Sequence, residues 1–131
     1  MKTKRQAHDC VLIEDSDIQT IYVAGGRDKN GIRLDSIETL KLTNPNIDQN
    51  EWKLEETVLP MPLAHFQIVR SNDKNILFYV VAGEVPNEHI YGLKIYGLTK
   101  LKELKEIGSL RVGRSDHQTL NVPLSYLKGC Q

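Results

Sequence analysis

The sequence predicts an all-β protein built from repeated four-stranded antiparallel sheets, and three observations lead there. The chain repeats itself: Ile21-Tyr22-Val23-Ala24-Gly25-Gly26 returns as Tyr79-Val80-Val81-Ala82-Gly83-Glu84, 58 residues on when Gly25 is laid over Gly83. Internal repeats outrank local patterns as a guide to fold. Short segments rich in Val, Ile, Thr and Tyr alternate with Gly, Asn, Asp and Pro, the punctuation of strands and turns. The 131 residues are 40% hydrophobic, enough for a core, yet the longest apolar runs fall far short of the ~20 residues that span a bilayer.

The elements follow in order. A first strand over 8–14 ends at the polar turn Asp15-Ser16-Asp17. A second over 19–24 is closed by Gly25 and Gly26, which admit backbone angles other residues resist. The loop Arg27-Asp28-Lys29-Asn30-Gly31 leads to a third strand over 36–43. The turn Asn44-Pro45-Asn46 leads to a fourth around Trp52. The second unit repeats the plan at 65–71, 76–82, 90–96 and 101–107, and a third unit opens at 117–124. One stretch argues back. Leu98, Leu101, Leu104 and Ile107 recur every third residue among lysines and glutamates, which locally reads as a short amphipathic helix. Repeat register places a strand there, and context overrides local preference, so a strand is expected.

Further matches keep the register at shrinking offsets. Ser36 to Leu42 lies over His89 to Ile95, 53 residues on, and Leu59 to His65 lies over Gly108 to Arg114, 49 residues on. The pattern R-x-x-H occurs at Arg5–His8 and Arg114–His117, with His65 standing between them in place of arginine. A strand ending in Ala-Gly-Gly, the segment SIETLKL, Trp52, Leu-Pro-Met-Pro and R-x-x-H together resemble the kelch repeat, of about 50 residues per unit. The resemblance runs from Arg5 to about Val122 and implies blades of a β-propeller. It divides the single domain 1–131 into a first blade over 5–64, a second over 65–113, and a closing strand and tail over 114–131. Unit two departs from the pattern at Glu84, Leu101 and His65. In this reading Gly25, Gly26, Gly83 and Trp52 are structural, with Trp52 packed on the third strand.

Blades stack face to face, so continuously apolar strands such as Ile76 to Val81 are expected. Two blades and one strand are fewer than the four to eight of a propeller, and repeat units cannot bury their faces alone. The remaining blades are therefore expected from a longer chain or from self-association.

Seventeen Lys and Arg balance seventeen Asp and Glu, which speaks against nucleic acid as a partner. Alternating strand direction gathers Arg5, Arg27, Lys29, Arg33, His65, Glu84, Asn87, Glu88, Arg111 and Arg114 at one end of the sheets. The kelch resemblance implies that Arg5 and Arg114 face the central mouth, where such arginines meet acidic peptides; pairing with neighbouring carboxylates is the alternative. The expected function is a non-catalytic protein–protein interaction module, a scaffold or adaptor, binding a protein partner and no membrane. The alternatives are a fragment of a sugar-active kelch-like enzyme, whose pocket would need Tyr22, Tyr79 and Tyr91, or a truncated product without function.

Signs of chemistry are thin. Ser115-Asp116-His117 has the residue types of a triad, but neighbours in a strand point to opposite faces. His8 and Cys10 share a strand face without a third ligand at zinc-like spacing. No phosphate-loop pattern and no Asn-x-Ser/Thr sequon occurs. No cofactor or metal is expected. There is no apolar leader at Met1. Two free thiols, Cys10 and Cys130, fit a cytoplasmic setting; bridged, they would suggest a secreted parent.

Overall fold

The computed structural model describes residues 1–43, 45–46, 49–81, 83–84, 94–112 and 116–118. It is all-β, with no α-helix among the described residues. Strands β1 (Asp9–Asp15), β2 (Ile18–Ala24), β3 (Ser36–Leu42) and β4 (Trp52–Val58) form one antiparallel sheet. Strands β5 (Gln67–Arg70), β6 (Ile76–Val81), β7 (Lys94–Thr99) and β8 (Leu104–Ser109) form a second. Spatial order follows chain order in both, each strand pairing antiparallel with the next.

The helix-like stripe is resolved by a turn. Leu98 is buried at 2% exposure and pairs with Leu104 across the β7–β8 hairpin, whereas Leu101 is 83% exposed at its tip. The hairpin closes through Thr99 N–H to Glu103 O at 2.9 Å and Lys102 N–H to Thr99 O at 2.9 Å. The strand expected at 101–107 thus begins at Leu104, and the one expected at 90–96 is described as Lys94–Thr99, with 90–93 outside the described residues. The third strand expected over 36–43 ends at Leu42.

Each sheet has two faces, because successive side chains alternate. The front of the first sheet carries Val11, Ile13, Tyr22, Ala24 and Ile37, and the back of the second carries Ile68, Phe78, Val80 and Leu98. These two faces make one continuous core. Tyr22 and Phe78 meet edge to face across the seam, with centroids 5.3 Å apart and planes at 61°, the favoured geometry of an aromatic pair. The seam therefore joins unlike faces, front to back. The back of the first sheet (Leu12, Ile21, Leu40, Trp52) and the front of the second (Val69, Tyr79) lie outside it.

Hydrogen bonds set the true repeat register. Gln6 pairs with Arg27 as Ala64 pairs with Glu84, both antiparallel bridges. Ala7, His65 and Asp116 all have positive φ, at 53°, 54° and 49°, uncommon for residues with a side chain. They are joined in series: His65 N–H donates to Ala7 O at 3.0 Å, and Asp116 N–H to His65 O at 3.1 Å. Ala7, His65 and Asp116 are thus equivalent, which aligns Arg5 with Leu63 and His8 with Phe66. Two expectations are corrected. His65 does not replace the arginine of R-x-x-H; Leu63 does. Gly83 matches Gly26 rather than Gly25: a Cβ would stand 2.6 Å from Gln6 O at Gly26 and 2.6 Å from the Phe66 Cβ at Gly83, the same neighbouring segment in each unit. The spacing is 58 at Ala7 and His65, 57 at Gly26 and Gly83, 58 again for β3 and β7 (Glu38 to Tyr96), and 52 for β4 and β8 (Leu54 to Glu106). The shortening lies in the β7–β8 turn, a position that residue matching alone misplaced.

Candidate functional site

The end of the sheets where β2 stops gathers the charged residues. Asp28 builds the loop after β2: its carboxylate accepts from Asn30 N–H at 2.8 Å and Ile32 N–H at 2.9 Å, an Asx-type turn. Gly31 supplies φ +80° with nothing within 4 Å of a Cβ. The loop folds back so that Arg27 bridges Arg33. Both guanidiniums then reach across the seam to one carboxylate, Glu84 of the second sheet. The Arg27 hydrogen bond foremost holds the Glu84 carboxyl below the usual range; burial opposes it, and the Arg33 hydrogen bond and both guanidinium charges add to the lowering. Arg27 and Glu84 are equivalent positions of neighbouring units with opposite charge.

His65 continues the network. Its Nδ1 lies 2.6 Å from Asp116 Oδ1, and its Nε2 3.9 Å from Glu84 Oε2. Asp116 thus orients His65, 51 residues away, rather than its neighbour His117. Sequence reading singled out Asp116 only as a member of an improbable triad, because the left-handed turn that aims it is invisible in one dimension. Among the described residues, Arg27 and Arg33 share Glu84 and His65 meets Asp116, so this end carries both signs rather than positive charge alone.

Arg5 stands apart from that network. Its side chain and that of Glu38 are both 0% exposed, paired at 2.6 Å. Arg5 also donates to Gly25 O at 2.9 Å and Ser36 O at 3.1 Å. Glu38 further accepts from Lys2 N–H at 2.6 Å and Thr3 N–H at 3.0 Å. Burial pushes the Glu38 carboxyl up, but the Lys2 N–H, the Arg5 guanidinium and the Thr3 N–H outweigh it and hold it below its ordinary value. Arg5 is therefore an internal tie, and the expectation that it meets a ligand gives way to carboxylate pairing. Lys29 lies exposed at the tip of its loop, and Arg111 is exposed beyond β8. Arg114, Asn87 and Glu88 lie outside the described residues. Lys4, Arg5, Gln6, Arg27, Asp28 and Lys29 line a hollow of about 170 Å³. Arg5 and Arg27 each keep a buried Nε there without a partner among the described residues.

At the opposite rim, Glu55 of β4 ties the two sheets through Lys102 Nζ at 2.7 Å, with Thr39 Oγ1 donating at 2.7 Å. Burial raises the Glu55 carboxyl, while the hydrogen bonds from Lys102 and Thr39 prevail and lower it. Thr57 Oγ1 also donates to Lys102 O at 2.6 Å. Trp52 pairs with Leu40 of β3 as expected, but it is half-buried and lines a cavity of about 390 Å³ with Lys2, Lys41 and Lys53. It is not a core anchor.

Tyr22 lies in the seam and Tyr79 on the opposite face of the other sheet, so no tyrosine pocket forms from them; Tyr91 is outside the described residues. No group of three metal-ligating side chains occurs among the described residues. No helix among them is long and apolar enough to cross a membrane. Cys10 is an exposed free thiol, raised first by partial burial and then by the Asp9 carboxylate; Cys130 is outside the described residues. No protein-family model matches the chain, and no curated protein does.

Proposed function

We propose that the two sheets are consecutive blades of a kelch-type β-propeller and act as a non-catalytic protein-interaction module. The observation that carries the reading is the serial bond from Ala7 to His65 to Asp116, repeated at each unit boundary. Together with a front-to-back seam, it is what rotation of one unit about a common axis requires. Further blades, from elsewhere in a longer polypeptide or from other chains, complete the ring. The end that carries Arg27, Lys29, Arg33, Glu84 and His65 is then the mouth. Its mixed charges favour a partner presenting both signs over a purely acidic peptide, because a polyanion would have to displace Glu84 from Arg27 and Arg33.

The test is partner capture from host lysate with two charge reversals that leave the buried ties intact. Lys29→Glu changes the mouth and Lys53→Glu changes the opposite rim. The reading expects Lys29→Glu alone to lose partners retained by the unmodified chain. An identical partner set for both variants moves the binding surface away from the mouth.

A further inference from the structure

The seam inside this chain joins the front of one sheet to the back of the next, and among the described residues no sheet covers the equivalents of both faces. On the back of the first sheet Leu12 is 43% and Leu54 51% exposed, with Ile21 half-buried beside them. On the front of the second sheet Val69, Tyr79 and Ile95 are half-buried. Exposed apolar faces of this kind mark interfaces. We propose that a second copy of this chain docks head to tail, the back of its first sheet on the front of the second sheet of its neighbour. The proposal rests on reading the sheets as successive blades.

Two features fit this occupant. The first is charge. Across the existing seam Arg27 faces Glu84, its own equivalent in the next unit. In a docked pair the order inverts, so Glu84 of one copy faces Arg27 of the other, again opposite in sign. The second is the backbone series. Ala7 N–H has no partner among the described residues, while Ala7 O already accepts from His65. A docked copy would seat its Ala7 N–H on the neighbour's His65 O. Asp116 now holds that acceptor, through one backbone bond and a side-chain contact to His65 whose Asp116 side is 70% exposed. Such exposed pairs contribute little, so Asp116 is a displaceable occupant of the seat. A contact between unlike faces closes into a ring or grows into a filament, depending on its rotation.

The experiment is analytical ultracentrifugation of the full chain with Leu12→Lys, on the back face, and Tyr79→Lys, on the front face. Circular dichroism checks each fold, and Val69→Lys replaces Tyr79→Lys if the latter unfolds. The unmodified chain should form multimers at micromolar concentration, and each variant alone should weaken association at least about tenfold. Mixed one to one, the two variants should form a dimer and nothing larger, because one intact front meets one intact back. Asp116→Ala should strengthen association. The proposal is overturned by a monomeric unmodified chain, by a mixture that stays monomeric, by Tyr79→Lys associating like the unmodified chain, or by Asp116→Ala leaving association unchanged or weaker. None of these touches the interaction reading, which the mouth and rim variants above test separately.

Discussion

The two sheets share one frame and stabilise it by different chemistry. Where the first sheet buries Arg5 against Glu38, the equivalent positions of the second are Leu63 and Tyr96. Burying an ion pair costs desolvation on both sides and is favourable only when every lone pair finds a donor. Glu38 meets that condition through Arg5 and the N–H groups of Lys2 and Thr3. The first sheet thereby recruits the N-terminal segment, whereas Leu63, 2% exposed, simply joins the seam core. His8 against Phe66 repeats the contrast. A repeat frame specifies where side chains stand, not which interaction fills the place.

The largest effect should come from breaking one partner of the buried pair. Glu38→Ala leaves the Arg5 guanidinium buried and uncompensated, and should cost about 3–5 kcal/mol in denaturant unfolding. Arg5→Leu with Glu38→Tyr, which copies the second sheet, should recover most of that loss. A double variant no better than the single would show that the frames differ in more than chemistry. Phe78→Ala, in the seam that serves both sheets, should cost a similar ~3–5 kcal/mol. Trp52→Ala, on a half-buried rim position, should cost only about 1–2 kcal/mol.

Next in size is the glycine equivalence. Gly26→Ala and Gly83→Ala each place a Cβ 2.6 Å from a neighbouring segment at φ +91° and +116°, and each should destabilise by at least about 1–3 kcal/mol. Gly31→Ala, in open space, should lose only about 1–2 kcal/mol, for its left-handed backbone. Equal losses at all three would mean that φ alone matters and that the matching close approaches do not.

The smallest expected effect is on pH dependence, and it also separates the sheets. Glu38, Glu55 and Glu84 titrate below their ordinary values in the fold. Each contributes stability that is complete above the unfolded carboxyl value of about 4.3 and is lost as pH falls through the lower folded value. His8 is depressed by burial first and by the Arg5 charge second, so its contribution is complete above about pH 6.5 and is lost on acidification below it. Phe66 and Tyr96 occupy the positions of His8 and Glu38 in the second sheet and do not titrate in that range. Hydrogen exchange should therefore show β1–β3 losing protection before β5–β7, first as pH falls below about 6.5 through His8 and further below about 4.3 through Glu38. Simultaneous loss would mean that the seam unfolds as one unit.

Strand identity was legible because it depends on local composition: apolar runs, Gly pairs and Asx turns survive without tertiary information. Pairing was less so. Laying Gly25 over Gly83 matched residue types, yet the backbone pairs Gln6 with Arg27 and Ala64 with Glu84, one residue off. The Leu98–Ile107 stripe misled because a tight turn leaves Leu101 in solvent while its neighbours Leu98 and Leu104 pair. At the candidate site the cations Arg27, Lys29 and Arg33 were readable from loop position, but the pairing of Arg27 and Arg33 with Glu84 was not. Glu84 and Asp116 come from units 57 and 89 residues beyond Arg27, and only the folded seam sets them together.

The chain on its own determined an all-β fold and two units of four strands, because strand propensity and turn chemistry act over a few residues; the third unit expected from 117 onward lies almost wholly outside the described residues. Tertiary structure alone decided the register between units, the burial of Arg5 and the charge pairing around Glu84. Those depend on which backbone groups find partners across the seam, and on which charges must pair once water has been excluded.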